Sequence, residues 1–260
     1  MTKRVTVEID NAIARVTLNR ETKHNALDME MFYAIKAAIK TIKQNKKIRV
    51  VVVCGKGESF SSGLDVKSVM SQRKNVFKLL WKWWPGSANL AQQVTIGWRQ
   101  LEVPVVMVLH GKCWGGGMQI ALGGDFRIAD PDTSLSIMEA KWGLIPDMGG
   151  TPALSENVAV DQAMKMAMTA ECISAKDALD KHLITQISHN PMASAEALAK
   201  QLIERSPDTN KRIKAFYYKS WGNKQAKILA GETFNQWKII LGKNQKIAVK
   251  KALGEKLDYR

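Results

Sequence analysis

The chain has 260 residues, 45% of them apolar and 24% charged, a globular composition that argues against disorder. Its formal net charge is +15, and the last sixty residues hold fourteen Lys or Arg against five Asp or Glu. Such a surplus suits nucleic acid, an acidic membrane surface or a small ligand with several phosphates, although a lysine-rich solvated face would also explain it.

The N-terminal run MTKRVTVEIDNAIARV is polar and strand-like, with no apolar stretch that could act as a secretory signal. The longest apolar runs, VVVVC (50–54) and VPVVMVL (103–109), are too short to span a bilayer. Cys54, Cys113 and Cys172 lie far apart, odd in number and in no metal-ligand spacing. They predict buried thiols in a reducing compartment. The expectation is a cytoplasmic protein with no membrane partner.

Two strand-like runs, VTVEI (5–9) and AIARVTL (12–18), flank Asp10 and Asn11 and predict a hairpin. Leu27, Met31, Ile35, Ile39 and Ile42 then recur at helical spacing, with lysines toward the end of the segment. VVVV (50–53) is β-branched throughout, as in a strand covered on both faces, and VPVVMVL is a second such run. MQIALGGD predicts a short helix, FRIA (126–129) a strand and LSIM (135–138) another. Beyond about residue 155 the pattern is helical, through DQAMKMAMTA, SAKDALDKHL and ASAEALAKQLIERS. The reading is an α/β core over residues 1–195 and a helical C-terminal region over 196–260.

Gly115, Gly116 and Gly117 fall between a predicted buried strand and a predicted helix. Main-chain N–H groups are free there, the helix dipole adds positive character, and glycine lets a ligand atom approach the backbone. An anionic or developing-anionic oxygen is the expected guest. The dinucleotide pattern fails because Ile120 stands where its third glycine should be, and no Lys-Ser or Lys-Thr follows for a P-loop. Close helix–strand packing is the alternative. A second junction, GESFSSGLDVKSV (57–69), puts Gly63 just before a candidate helix start at Asp65. Two such junctions can each offer one amide to one oxygen, which is an oxyanion hole.

FSSGLDV, HGKCWGGGMQIALGGDFRIA and MEAKWGLIPDMGGT, with NRETKHNALD before them, resemble the signature segments of the crotonase superfamily, the enoyl-CoA hydratases and isomerases. The similarity runs over roughly residues 5–185 in consistent order. It implies a crotonase-like spiral of ββα units, a C-terminal helical region that completes the site, and a homotrimer or dimer of trimers. It also implies an acyl-CoA thioester as substrate, with no separate cofactor and no metal. By this resemblance the oxyanion hole consists of the Ser62 and Gly116 amides. Gly63, Leu64, Asp65, Gly115 and Trp142 would contact substrate, and Lys23 with C-terminal lysines would hold the coenzyme A phosphates.

The family's hydratases use two glutamates. The first position is Gln119 here and the second is Glu139. An amide cannot exchange a proton as a carboxylate does, so Gln119 either orients water or substrate or is structural. Asp147 stands where the dienoyl-CoA isomerase branch has an aspartate, although that branch also has an acid at the Gln119 position. It could instead cap the helix that begins MGGTPAL. A single glutamate at the Glu139 position resembles the Δ3,Δ2-enoyl-CoA isomerases, where one base can take a proton and return it two carbons away. Double-bond isomerisation is the expected reaction and hydration the alternative.

Other side chains leave further readings open. Tyr217, Tyr218 and Trp221 stand among lysines and could stack on bases, so nucleic acid binding on this scaffold is a rival, as is acyl-CoA binding without catalysis. Trp81, Trp83 and Trp84 would shape the acyl pocket or pack in a core or subunit contact. His110 and Cys113 lack an orienting acid, and His24, His182 and His189 form no ligand cluster.

Overall fold

Strands β1 (Val5–Asp10) and β2 (Ile13–Leu18) form the expected antiparallel hairpin. It turns one residue later than predicted, on Asn11 and Ala12, whose φ values are 45° and 67°. The computed structural model that shows this describes residues 3–221 and 225–257, leaving aside the side chains at 220–221, 225–228, 243–244 and 251. Asp28 starts helix α1 (Met29–Gln44) by accepting the Met31 N–H at 2.8 Å, which satisfies one amide that the helix itself cannot. The predicted apolar stripe then buries Met31, Ile35, Ile39 and Ile42.

Strand β3 (Val50–Gly55) runs parallel to β2, and β4 (Val105–Leu109) parallel to β3. Every residue of β4 and Val50–Cys54 of β3 are buried, as their β-branched runs require. Between them lie α2 (Val66–Met70), α3 (Arg73–Leu80) and α4 (Leu90–Arg99). Strand β5 (Lys112–Trp114) follows β4, and α5 (Gly116–Leu122) and β6 (Phe126–Ala129) follow it. The short helix therefore begins two residues earlier than the sequence suggested and takes in Gly116 and Gly117. Glycine is required at 117, because a Cβ there would sit 2.6 Å from the Ser61 carbonyl oxygen.

Strand β7 (Ser134–Ser136) is shorter than LSIM, which turns away into a 3-10 turn at Glu139–Trp142. Then come α6 (Thr151–Asn157), α7 (Val160–Thr169), β8 (Ile173–Ser174), α8 (Ala175–Asp180), β9 (Gln186–Ile187) and α9 (Pro191–Ile203). A six-stranded sheet has the order β1-β2-β3-β4-β6-β9 and a three-stranded sheet the order β5-β7-β8. The chain lays one strand in the large sheet, one in the small sheet, then a helix, as in β4-β5-α5 and β6-β7-α6. This repeated ββα winding is the expected spiral.

The division expected after residue 195 falls inside α9. Ala195 and Ala199 of that helix are fully buried with Val50, Val52, Val106 and Val108, so α9 packs as part of the core. Helices α10 (Pro207–Trp221), α11 (Gln225–Ile240) and α12 (Lys243–Ala252) complete the chain. α11 packs on α6, and α12 packs on the 139–142 turn.

Candidate active site

Two loops meet side by side. After β3 the chain passes along β5, with Ser61 paired in parallel to Cys113. The Ser61 N–H donates to the Lys112 carbonyl at 3.0 Å, and the Trp114 N–H to the Ser61 carbonyl at 3.0 Å. Carried forward, that register sets Gly63 beside Gly115 and Leu64 beside Gly116. A Cβ on Gly63 would lie 3.2 Å from the Gly116 nitrogen and 2.7 Å from the Trp114 oxygen, so only glycine permits the approach. Gly63 has a φ of 87° and Gly115 one of 49°.

The amides differ from the sequence expectation at one position. The Ser62 N–H donates to the His24 carbonyl at 2.8 Å and is not free to hold a ligand. Of the residues of the two loops that line the adjoining pocket, Ser62, Gly63 and Gly115 have their N–H groups bonded. Those of Leu64, in the loop, and Gly116, the first residue of α5, have no acceptor among the described residues. Leu64 alternates with partnered neighbours: Leu27 donates to the Gly63 carbonyl at 2.8 Å, and Asp65 donates to the Leu27 carbonyl at 3.0 Å. The free pair is thus Leu64 and Gly116. Two converging N–H groups suit a carbonyl oxygen that gains negative charge.

These amides open onto a pocket of about 790 Å³, mouth included. Glu139, Asp147, Trp142, Ser62, Gly63, Leu64, Gly115 and Gly116 line it, with Phe32, Val69, Val76, Leu79 and Leu80 forming an apolar side. Three expected residues, Asp65, Gln119 and Lys23, lie elsewhere. Asp65 caps α2, accepting the Ser68 N–H at 3.0 Å, and pairs with Arg20 at 2.9 Å. Gln119 is 1% exposed and lies behind Glu139.

The role of Gln119 follows from its partners. Its Oε1 accepts the Met148 N–H at 2.8 Å and the Gly150 N–H at 3.3 Å. That orientation forces its amide nitrogen toward Glu139, and it donates to Glu139 Oε1 at 2.6 Å. The side chain ties the 148–150 loop to Glu139, with both its oxygen and its nitrogen bonded to protein. Glu139 Oε2 has no hydrogen-bond partner among the described residues. An unpartnered buried carboxylate oxygen beside two unpartnered amides marks a place built for a ligand.

Helix α11 adds side chains that sequence reasoning missed. Glu232 Oε2 accepts from Gln92 Nε2 at 2.9 Å and from the Gly149 N–H at 3.1 Å. Gln236 accepts the Ile145 N–H at 3.2 Å and hydrogen-bonds Asp147. One turn of helix thus grips both ends of the segment carrying Asp147. Leu229, Glu232, Thr233 and Gln236 are buried at helical spacing, a polar inward stripe that could have been noticed.

Burial pushes the Asp147 carboxyl up to about 8, with help from the negative charges of Glu232 and Glu139. Burial raises Glu139 as well, partly offset by its bond from Gln119, and Glu232 adds to the rise. Burial likewise raises Glu232 against its hydrogen bonds. Asp147 does not cap a helix: Gly150 is the N-cap of α6.

The remaining candidates are placed as follows. Lys23 is exposed, and its carbonyl accepts from the Ser62 hydroxyl at 3.4 Å beside the pocket loop. Trp81, Trp83 and Trp84 do not line the pocket; Leu79 and Leu80 of the same segment do. A His110 ring nitrogen pairs with the Gly57 carbonyl at 2.9 Å, and Cys113 is a buried thiol with proton affinity raised by burial, so the two are not a nucleophile and base. Tyr218 donates to Asp125 at 2.6 Å beneath the Arg99 guanidinium, and Lys214 pairs with Asp125 at 2.8 Å. Tyr218, Arg99 and Lys214 are thus engaged inside the fold, whereas Tyr217 is 53% exposed. The side chain of Trp221 lies outside the described residues. Among those residues no group of His, Cys, Asp and Glu could hold a metal.

The family model for enoyl-CoA hydratase/isomerase matches residues 8–258. The chain belongs to that family. A Bacillus subtilis (strain 168) protein named "Probable enoyl-CoA hydratase" is 27% identical over 208 residues, 79% of this chain and 78% of its own. An enoyl-CoA hydratase/isomerase from Xanthobacter autotrophicus Py2 superposes with a TM-score of 0.86 at 22% identity, covering 97% of each chain. One from Pseudoalteromonas atlantica T6c gives 0.86 at 18% identity, over 99% of this chain and all of the other. At those identities the structural likeness speaks for the crotonase fold alone. Family membership implies an acyl-CoA substrate, whose thioester carbonyl is the kind of oxygen that two free amides suit.

Proposed function

We propose that this family member shifts a double bond in an acyl-CoA thioester. In this reading the thioester oxygen accepts from the Leu64 and Gly116 N–H groups, and Glu139 removes a proton from the carbon alpha or gamma to the carbonyl. The electron pair moves into an enolate, and the two amides stabilise its oxygen; one such donor is typically worth about 3–4 kcal/mol. A proton is delivered two carbons away, so no atom is gained or lost. Glu139 can return the proton it took. Asp147, neutral at pH 7 because its pKa is about 8, is a second donor on the same pocket.

The observation that carries the proposal is that Glu139 and Asp147 border the pocket with the free amides, while Gln119 has every amide group bonded to protein. A carboxylate on each side of a bound water at the Gln119 position is therefore missing. Hydration is the second reading, favoured by the name of the Bacillus subtilis relative and by the presence of two carboxyls, Glu139 and Asp147, on the pocket. Incubation with 2-enoyl-, 3-enoyl- and dienoyl-CoA thioesters, followed by product identification, separates the two. Double-bond migration faster than 3-hydroxyacyl-CoA formation supports isomerisation. Rapid hydration of 2-enoyl-CoA, above about 10 per second, overturns it.

A further inference from the structure

The segment around α3 has two faces. Val76, Leu79 and Leu80 turn inward to line the pocket. Phe77, Trp81, Trp83 and Trp84 face outward and are 50%, 49%, 90% and 73% exposed. The Phe77 and Trp81 rings lie 4.9 Å apart, and Trp83 meets Trp81 edge-on at 6.1 Å, so the aromatics form a surface ridge. Lys82 ties the ridge to α11 by donating to the Leu229 carbonyl at 2.8 Å. Single exposed apolar side chains are ordinary on a folded protein, whereas adjacent large aromatics mark an interaction surface.

Charge selects the occupant. No Asp or Glu occurs from Val66 to Leu101. Arg73, Lys74 and Lys78 are exposed there, without an ion-pair partner among the described residues. Directly after the ridge, Gly86 and Ser87 form one side of a groove whose other side carries Lys36, Lys40 and Lys43 of α1, all exposed. A two-fold contact of this surface with its own counterpart would set cation against cation. Indoles beside ammonium groups suit the boundary of an anionic bilayer, where rings enter the acyl region and cations meet phosphates.

We propose that the ridge Phe77–Trp84 and the adjoining lysine groove dock this protein on the surface of anionic phospholipid. The sequence expectation of no membrane partner is thereby revised for surface binding only; no helix among the described residues is long and apolar enough to cross a membrane. Docking through the outer face of α3 places the pocket-lining inner face next to the lipid. The proposal does not depend on which reaction the pocket performs.

The test is co-sedimentation of the full chain with neutral phosphatidylcholine vesicles and with vesicles containing about 30% phosphatidylglycerol, alongside tryptophan emission. The expected result is at least ~10-fold tighter binding to the anionic vesicles, weakening with salt, with a blue-shifted emission. Trp83→Ala/Trp84→Ala and, separately, Lys36→Glu/Lys40→Glu should each lower that binding ~10-fold while leaving circular dichroism and thermal midpoint unchanged. Equal or absent binding to the two vesicle types would overturn the proposal. So would binding that survives both variants, which would assign it to the basic C-terminal helices. A lipid-free assembly that dissociates in the tryptophan variant would instead make the ridge a contact between copies, and tight single-stranded RNA binding lost in the same variants would make it a nucleic acid face.

Discussion

Around Asp125 the buried charges are matched inside the fold, by counter-charges or, for Arg127, by the Leu183 and Gly124 carbonyls. Lys214 lies 2.8 Å from its carboxylate, the Tyr218 hydroxyl donates to it at 2.6 Å, and Arg99 sits between the Tyr218 ring and Glu156. Around Asp147 the inventory is opposite. Burial raises the proton affinity of Glu139, Asp147 and Glu232. The charge of Glu232 adds to the rise at the other two and that of Glu139 to the rise at Asp147, and none of them makes an ion pair among the described residues. Lys82 feels the charge of Glu232 only at longer range. Both groups are out of water, so both would be costly without compensation. The first is compensated inside the fold; the second is left with raised proton affinities and an unpartnered Glu139 oxygen at a pocket. Internal pairing serves stability, and its absence at a pocket marks a candidate for chemistry.

The sharpest way to break this contrast is to unpair the first group. Arg99→Ala leaves Glu156 buried without its cation, and removal of one partner of such a pair typically costs about 3–5 kcal/mol. The denaturant midpoint should fall accordingly, with turnover per folded molecule little changed. A loss of turnover at unchanged stability would mean the two groups are not divided as described.

Next comes the acidic group. Glu139→Gln should lower kcat at least ~100-fold while the fold is kept, because in the proposed reaction it removes the group that takes the proton. It also removes a like charge facing Asp147, so the variant should be no less stable than its parent at pH 8. Activity within a few-fold of the parent would remove Glu139 from the mechanism.

Asp147→Asn sharpens the comparison through pH. A carboxyl raised from 3.8 to about 8 keeps its proton in the folded state and loses it in the unfolded state between those values. Its contribution to stability is therefore fully present below about 4 and declines as pH rises toward 8. The parent should lose thermal stability across that window, and Asp147→Asn should flatten the decline. In kinetics, the parent's kcat should fall above about pH 8 as the donor ionises, and that limb should vanish in the variant with a loss of ~10-fold in rate. A limb that persists in Asp147→Asn belongs to another group.

The smallest effect is expected from Gln119→Glu. The new side chain keeps acceptors for Met148 and Gly150, but its other oxygen faces Glu139 Oε1, now 2.6 Å from the amide nitrogen. Two carboxylates that close must share a proton. The acid limb of the rate profile should move to higher pH, while the ratio of hydration to isomerisation, read from products, stays within about a few-fold because residue 119 does not line the pocket. A large gain in hydration would show that water reaches this position.

Much of the scaffold was legible because its signals are local. The VVVV and VPVVMVL runs, the Asp28 cap and the α1 stripe each specify an element within a few residues. The glycines at 63 and 115–117 announced a close backbone approach, and the meeting of the two loops was anticipated. Which amide stays free was not, since Ser62 or Leu64 depends on whether His24, nearly forty residues earlier, places its carbonyl against one of them. Similarly, Asp65 reads as a site residue in the loop motif until Arg20 is seen to claim it. The tryptophans of LLWKWWPG read as pocket or core residues because apolar side chains usually bury; here the leucines before them take that place.

By itself the sequence determined the longer strands, the main helices, the family and the close approach of the two glycine loops, because covalent neighbours and periodicity suffice for these. Only the tertiary structure decided that Gln119 donates to Glu139, that Glu232 joins the site from 93 residues beyond Glu139, and that burial raises the Asp147 carboxyl. Proton affinity and hydrogen-bond vacancy are properties of what surrounds a group, and those surroundings come from α11 and the 145–150 segment folding together.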